Sequence, residues 1–269
     1  MRWILWLALT SLLPVQQPAV QQTASTTPAS TKIWIGRYAE FEQFLRTAEI
    51  EQTKGTPVGV TSPRHALFKA GGPAAGGALK PLRPGKYDGF WESYKSEIAA
   101  YKLDRLLQLD MVPPTVEVRY RGDMASLQLW VENTKMLKDV KAQKLTAPDP
   151  AKWNFQLHRA YVFDDLVANI DENEGNLLFD PQWNFIKIDH SRAFTASTVQ
   201  PFEIGKRFSQ IDRAFFDRVK ALDRDTVKRE IGDLLEGGAL DALFARRDTI
   251  VKAFDKLARD KGDKQIFVP

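Results

Sequence analysis

Cysteine is absent from the 269 residues, which excludes disulfides, thiolate nucleophiles, a lipoprotein anchor and every zinc site built on sulfur. Histidine is scarce: His65, His158 and His190 show no HxxxH spacing, which argues against a histidine metal site. No long basic run or aromatic-studded basic stripe is present and the formal net charge is only +4, so nucleic acid is not the expected partner. The amino-terminal apolar run, Trp3 to Leu13, is shorter than the ~20 residues that span a bilayer. No internal repeat is visible. What remains is a globular composition, 43% hydrophobic and 27% charged, at a length that about 150 residues per domain divides into one large domain or two lobes.

Met1-Arg2, the apolar run and then Pro14 with a Gln/Thr/Ala/Pro/Ser tract to Ser30 have the order of a secretory signal followed by a linker. Residues 1–24 are therefore expected to be a signal peptide and 25–31 a linker, with the protein exported to a periplasmic or secreted location. Without a working signal the location would be cytoplasmic.

Residues 47–70 alternate apolar and polar positions around Lys54-Gly55-Thr56-Pro57 and Thr61-Ser62-Pro63, which predicts a hairpin of short antiparallel strands at the start of the domain. A Gly/Ala/Pro loop, Gly71 to Gly77, leads to a strand at Ala78-Leu79-Lys80-Pro81-Leu82, whose proline predicts an edge or a strand end. Ala99, Leu103, Leu106 and Leu107 recur at helical spacing between Ser93 and Leu109, and Pro113-Pro114 closes that helix. A second hairpin turns at Arg121-Gly122-Asp123. Lys135, Lys138, Lys141 and Lys144 then mark an exposed helix or a connection between lobes. Phe155 to Asn169 reads as helix, Leu177 to Ile188 as a short hairpin around Asp180-Pro181-Gln182, and three helical stripes fill the chain from Phe208 onward.

The polar break Asp171-Glu172-Asn173-Glu174-Gly175-Asn176 is the strongest chemical signal, because helices do not end in such a run by propensity alone. The hairpin after it returns Asp189 toward the same place. Asp171 and Asn176 have the interval that separates the catalytic Asp from the metal-binding Asn in protein kinases, without the preceding His-Arg. Phosphoryl transfer needs this set: a carboxylate for the acceptor hydroxyl proton and hard oxygens for Mg²⁺. An EF-hand loop is the competing functional reading, but Asn176 stands where the sixth-position Gly belongs and Gln182 where the twelfth-position Glu belongs. An Asx-rich turn that only caps its neighbours is the other alternative. Upstream, Lys80 lies in an apolar strand, where an ammonium is costly without a partner or an anionic ligand. Glu97, early in the next helix, can be that partner.

Ala78-Leu79-Lys80-Pro81, the block Ser96 to Asp104 with Val112-Pro113-Pro114, Asn169 to Asn176, and Ile188-Asp189-His190-Ser191-Arg192-Ala193-Phe194 together resemble the atypical kinases. They are most similar to the secretory-pathway kinases related to the Golgi casein kinase, with HipA-type and phosphatidylinositol 3/4-kinase-related proteins more distant. The likeness runs from about Gly59 to Phe194. It implies an α+β, two-lobed protein-kinase-like fold: a small β-rich lobe with one main helix over 32–132 and a mostly helical lobe over 133–269. It implies ATP in the cleft with Mg²⁺ or Mn²⁺, Lys80 on the nucleotide phosphates, Glu97 orienting Lys80, Asp171 as catalytic base, and Asn176 and Asp189 on metal. The acceptor would be a protein, sugar or lipid hydroxyl. Two positions depart from the pattern. Glu172 stands where many relatives carry Arg, and the phosphate-covering stretch Pro57 to Ser62 has Gly59 alone instead of GxGxxG.

His190, Ser191 and Arg192 are compatible with phosphate contact or with a salt bridge and turn hydrogen bonds. Ser191, His190 and Asp189 are chain neighbours and cannot easily form a Ser-His-Asp relay, and no GxSxG elbow exists. His158, Trp130 and Trp183 read as structural. A binding module without turnover and an AMP transferase are the alternatives on the same fold.

Overall fold

The computed structural model describes residues 30–55 and 63–268, so the signal segment, most of the linker and the Gly59 stretch lie outside the described residues. The domain opens with a helix, α1 (Tyr38–Thr47), ahead of the expected hairpin. Its Phe41 and Leu45, one helical turn apart, are buried. Next come β1 (Ile50–Gly55), β2 (Arg64–Phe68) and β3 (Gly76–Lys80), then a small hairpin of β4 (Gly85–Tyr87) and β5 (Phe90–Glu92). That hairpin turns on Asp88-Gly89, both at positive φ, which is the two-residue turn whose twist matches the flanking strands.

The main helix of the amino-terminal half, α2 (Tyr94–Leu106), begins where Ser93 Oγ accepts the Lys95 N–H at 3.0 Å. β6 (Thr115–Tyr120) and β7 (Asp123–Leu129) pair through a tight turn at Arg121-Gly122. The sheet order is β1-β2-β3-β7-β6, antiparallel throughout, so β3 is interior. Pro81 therefore marks a strand end and not an edge. Period-two alternation divides the faces. Ala66, Phe68, Leu79, Leu127 and Leu129 pack with Trp34, Phe41 and Leu45, while Lys80 leaves β3 on the opposite face.

Beyond residue 132, β8 (Lys135–Met136) and α3 (Leu137–Ala142) precede α4 (Pro150–Val167). α4 starts earlier than its apolar stripe suggests, because Asp149 caps Lys152 N–H at 3.0 Å and Pro150 takes the first turn. β9 (Leu177–Phe179) and β10 (Phe185–Lys187) join β8 in a three-stranded sheet. The remainder is β11 (Ile211–Asp212), α5 (Arg213–Lys220), α6 (Arg224–Ile231), a 3₁₀ turn, α7 (Ala239–Lys261), α8 (Asp263–Ile266) and β12 (Phe267–Val268).

Among the described residues two large apolar cores result, beside a small cluster of Leu82, Tyr94 and Ile98, and neither large core stops at a lobe boundary. Leu103 and Leu107, in and just after α2, pack with Phe163, Leu166, Phe216 and Phe254 of the helical half, whereas Leu178 and Ile186 of the β9–β10 hairpin join the core behind the five-stranded sheet. α2 and the β9–β10 hairpin thus cross between the halves and bring polar residues of both to one place. Among the described residues no helix is long and apolar enough to cross a membrane.

Candidate active site

Lys80 ends β3 on the face away from the sheet core and is buried there. Its Nζ lies 2.6 Å from Glu97 Oε1 and 2.7 Å from Asp189 Oδ1. The side chains of Lys80 and Glu97 are 9% and 3% exposed, that of Asp189 25%. Burial by itself would lower the basicity of Lys80, but the carboxylates of Asp189 and Glu97 outweigh it and hold the ammonium above its ordinary range. Burial pushes Glu97 up against the opposing pull of Lys80. At Asp189 burial acts upward as well, and Lys80 overcomes it to hold the carboxyl below its usual range.

Asp189 follows β10 with φ of 64°, a left-handed conformation that Asp tolerates better than most residues. Several contacts maintain it. Ser191 Oγ donates to Asp189 Oδ1 at 3.2 Å, and the His190 N–H donates to Glu97 Oε2 at 3.0 Å. The Ser93 N–H donates to Ser191 O at 3.0 Å, and Ser96 Oγ to Ala193 O at 3.1 Å. The first turn of α2 and the loop carrying Asp189 are therefore held as one unit.

α4 ends with Ala168 in the left-handed region, and the polar break follows as a folded loop. Asn169 Nδ2 donates to Asp164 Oδ1 at 3.0 Å, and Asn173 Oδ1 accepts the Gly175 N–H at 2.9 Å. Asn176 Nδ2 donates to Asp171 O at 3.2 Å, and Asn176 O accepts the Ile188 N–H at 3.1 Å. Asn169 and Asn173 thus act as the Asx-turn reading expects. The Asp171 carboxylate takes no part in shaping the loop. It is 41% exposed, and its Oδ1 lies 3.2 Å from Arg192 Nη1. Burial pushes it upward, with Arg192 opposing.

The structure brings Lys80, Glu97 and Asp189 into direct contact, and joins Asn176 to the strand that delivers Asp189 and to the backbone of Asp171. Asn176 spends its amide nitrogen on the Asp171 carbonyl, which leaves its amide oxygen, with the Asp189 carboxylate, as hard donors. Among the described residues no group of three or more His, Cys, Asp or Glu side chains is arranged to hold a metal ion. The Asn176 amide oxygen and the Asp189 carboxylate are each of the hard type that Mg²⁺ takes, an ion commonly held by one or two carboxylates together with substrate phosphates.

Two further buried polar side chains accompany these residues. Lys187, in the apolar run Phe185-Ile186-Lys187-Ile188, is fully buried; its Nζ lies 2.9 Å from Asp164 Oδ2 and also pairs with Glu172. Glu172 is thus answered inside the protein and does not present a reversed charge to an acceptor. The signal for Lys187 in the sequence is a lone lysine in an apolar strand, as for Lys80. The second is His190, buried edge-on to Phe163 with neither ring nitrogen hydrogen-bonded, and held neutral chiefly by burial. Trp130 is half-buried and stacks on His65 at 3.9 Å, and Trp183 meets Trp153 at 5.0 Å near the surface, so neither is a deep core residue.

No family model matches the chain, and no curated protein matches its sequence. Solved structures do match its fold. The Golgi casein kinase superposes with a TM-score of 0.64 at 13% identity, over 86% of this chain and 77% of that one. A second structure of that kinase, with Mn/ADP bound, gives 0.63, also at 13% identity, over 86% and 78%. Hydra Fam20, solved with sugar, gives 0.64 at 14% identity over 86% and 92%, and the Helicobacter pylori proinflammatory kinase CtkA 0.53 at 12% over 81% and 98%. The chain has the fold of these atypical kinases, a small antiparallel-sheet lobe joined to a helical carboxyl-terminal part.

Proposed function

We propose that this protein is a phosphotransferase that uses ATP and Mg²⁺ or Mn²⁺ to phosphorylate a hydroxyl acceptor, a protein Ser/Thr or a sugar or lipid alcohol. The observation that carries the reading is the buried Lys80 ammonium between Glu97 and the partly exposed Asp189, which unites β3, α2 and the loop after β10. The Mn/ADP bound to the Golgi casein kinase supports nucleotide and metal use on this fold. The lobes are taken as 32–132 and 133–269, and the apolar run Trp3 to Leu13 supports export.

In this reading Lys80 binds the ATP phosphates and Glu97 keeps its ammonium aimed into the cleft. Asp189 and Asn176 would hold the divalent ion, which when bound neutralises phosphate oxygens. Asp171 orients the acceptor hydroxyl and takes its proton as the new O–P bond forms and the bond from the γ-phosphorus to ADP breaks. Positioning and electrostatics supply most of the acceleration in such a transfer.

The test is intact-mass analysis of the protein, and of a pool of Ser/Thr peptides, after incubation with ATP and Mg²⁺ or Mn²⁺, beside Asp189→Ala. A phosphate-sized gain that the variant lacks is the expected result. An AMP-sized gain would overturn phosphoryl transfer in favour of nucleotidyl transfer, and a nucleotide-dependent thermal shift without any gain would make the chain a binding module.

A further inference from the structure

The carboxylate assigned to the acceptor hydroxyl is gripped from outside its own loop. Arg192 lies three residues beyond Asp189 and bridges Glu92 and Asp171. Its Nε donates to Glu92 Oε1 at 2.7 Å and its Nη1 lies 3.2 Å from Asp171 Oδ1. Its guanidinium carbon sits 4.6 Å from the centre of the Phe90 ring. Glu92, at the end of β5, is buried, and Arg192 is nearly so. Both are held at the backbone, because the adjacent Ser93 N–H bonds to Ser191 O at 3.0 Å. A planar guanidinium fixed on one carboxylate and stacked on a ring presents its remaining N–H groups in a set direction.

We propose that Arg192 is the positioning residue that fixes the Asp171 carboxylate for the acceptor hydroxyl, with Glu92 and Phe90 holding Arg192 in turn. This rests on the phosphotransferase reading above. The loop itself does not do this work: Asn169, Asn173 and Asn176 bind its backbone, and the half-exposed Asp171 carboxylate would otherwise rotate. Arg192 occupies Oδ1 and leaves Oδ2 to the acceptor. A cation beside a general base weakens it as a base, which suits a loose phosphoryl-transfer transition state, where the acceptor proton leaves late and placement of the nucleophile matters more than basicity.

Steady-state phosphotransfer by the full chain tests the proposal with Arg192→Met, Arg192→Lys and Glu92→Gln. Arg192→Met is expected to lower kcat on the order of 100-fold, the effect of a misplaced catalytic group, with KM for ATP and acceptor unchanged. Arg192→Lys restores the charge without the fork and recovers part of the loss; Glu92→Gln gives a smaller loss of the same kind. A raised acceptor or ATP KM with kcat retained would overturn the proposal, because Arg192 would then be contacting substrate. A second readout needs no turnover. In the arginine side-chain ¹⁵N spectrum of the nucleotide-free protein, the signal that Arg192→Lys removes should show slowed guanidinium rotation, released by Asp171→Asn and by Glu92→Gln. A freely rotating Arg192 in the parent overturns the clamp even if phosphate is transferred. A restrained one without any transfer keeps the clamp on Asp171 and removes the phosphotransferase reading.

Discussion

Lys80 and Lys187 are each buried between two carboxylates, yet only the Lys80 cluster opens to solvent. Asp189, one of the Lys80 partners, keeps a quarter of its side chain exposed. Asp164 and Glu172 around Lys187 are 0% and 4% exposed. The chemistry of the two triads is the same and their freedom differs. A carboxylate that reaches solvent can leave an ammonium for a divalent ion, because water and phosphate oxygens compensate the exchange. A sealed one cannot, since removing either partner strands a charge in a dry site. The Lys187 triad instead ties the end of α4 and the polar loop to β10, beneath the candidate site. A buried lysine with two acids is open to exchange with a ligand only where one of the acids reaches solvent, as Asp189 does.

The widest separation between the clusters is expected from matched truncations. Lys187→Met should lower unfolding stability by about 3–5 kcal/mol, the cost of leaving buried carboxylates unpaired, read from the urea midpoint. On the phosphotransferase reading, Lys80→Met should cost somewhat less stability, because Asp189 can be solvated and only Glu97 is left dry, but lower phosphotransfer on the order of 10²–10³-fold. Equal stability losses with equal activities would erase the distinction.

A smaller effect follows from pH. Glu172 faces Lys187 and Asp164, the latter also bonded to Asn169. Burial pushes Glu172 from 4.5 up to about 8, against the pull of Lys187. A group whose proton is held more tightly in the folded state contributes fully below its unfolded value and loses that contribution as pH rises through its folded one. The parent should therefore lose stability between pH 4.5 and about 8 on account of this residue, and Glu172→Gln should flatten that slope in urea melts taken across the range. Parallel slopes would show that Glu172 is ionised throughout.

The smallest effect is expected at the surface. Lys69 and Glu49 pair at 3.1 Å with both side chains well exposed. Water screens such a pair and its side chains lose entropy on forming it, so Lys69→Ala should leave the urea midpoint unchanged within error. A clear loss there would show that burial is not what separates the three lysines.

Local features were readable along the chain. Ser93 before an apolar stripe, Arg121-Gly122 between alternating runs and the Leu177 to Ile188 hairpin each follow from short-range rules. α1 has only Phe41 and Leu45 at helical spacing to announce it, beside stronger strand signals. The start of α4 is signalled by the cap Asp149-Pro150 and not by apolar periodicity. Among site residues, Lys80, Glu97, Asp171, Asn176 and Asp189 are distinguished by residue type and order. The partners of Arg192, Glu92 and Asp171, lie in distant stretches and nothing local joins them.

The elements, their caps and turns, and the order of an amine, an acid and an oxygen-rich break follow from neighbours within a few positions and are written in the chain. Which acids meet which lysine, and which of those acids touch water, is settled by packing alone. Lys80 and Lys187 occupy nearly identical apolar strand contexts; desolvation and pairing belong to the packed surroundings, and those are assembled from segments far apart in the chain.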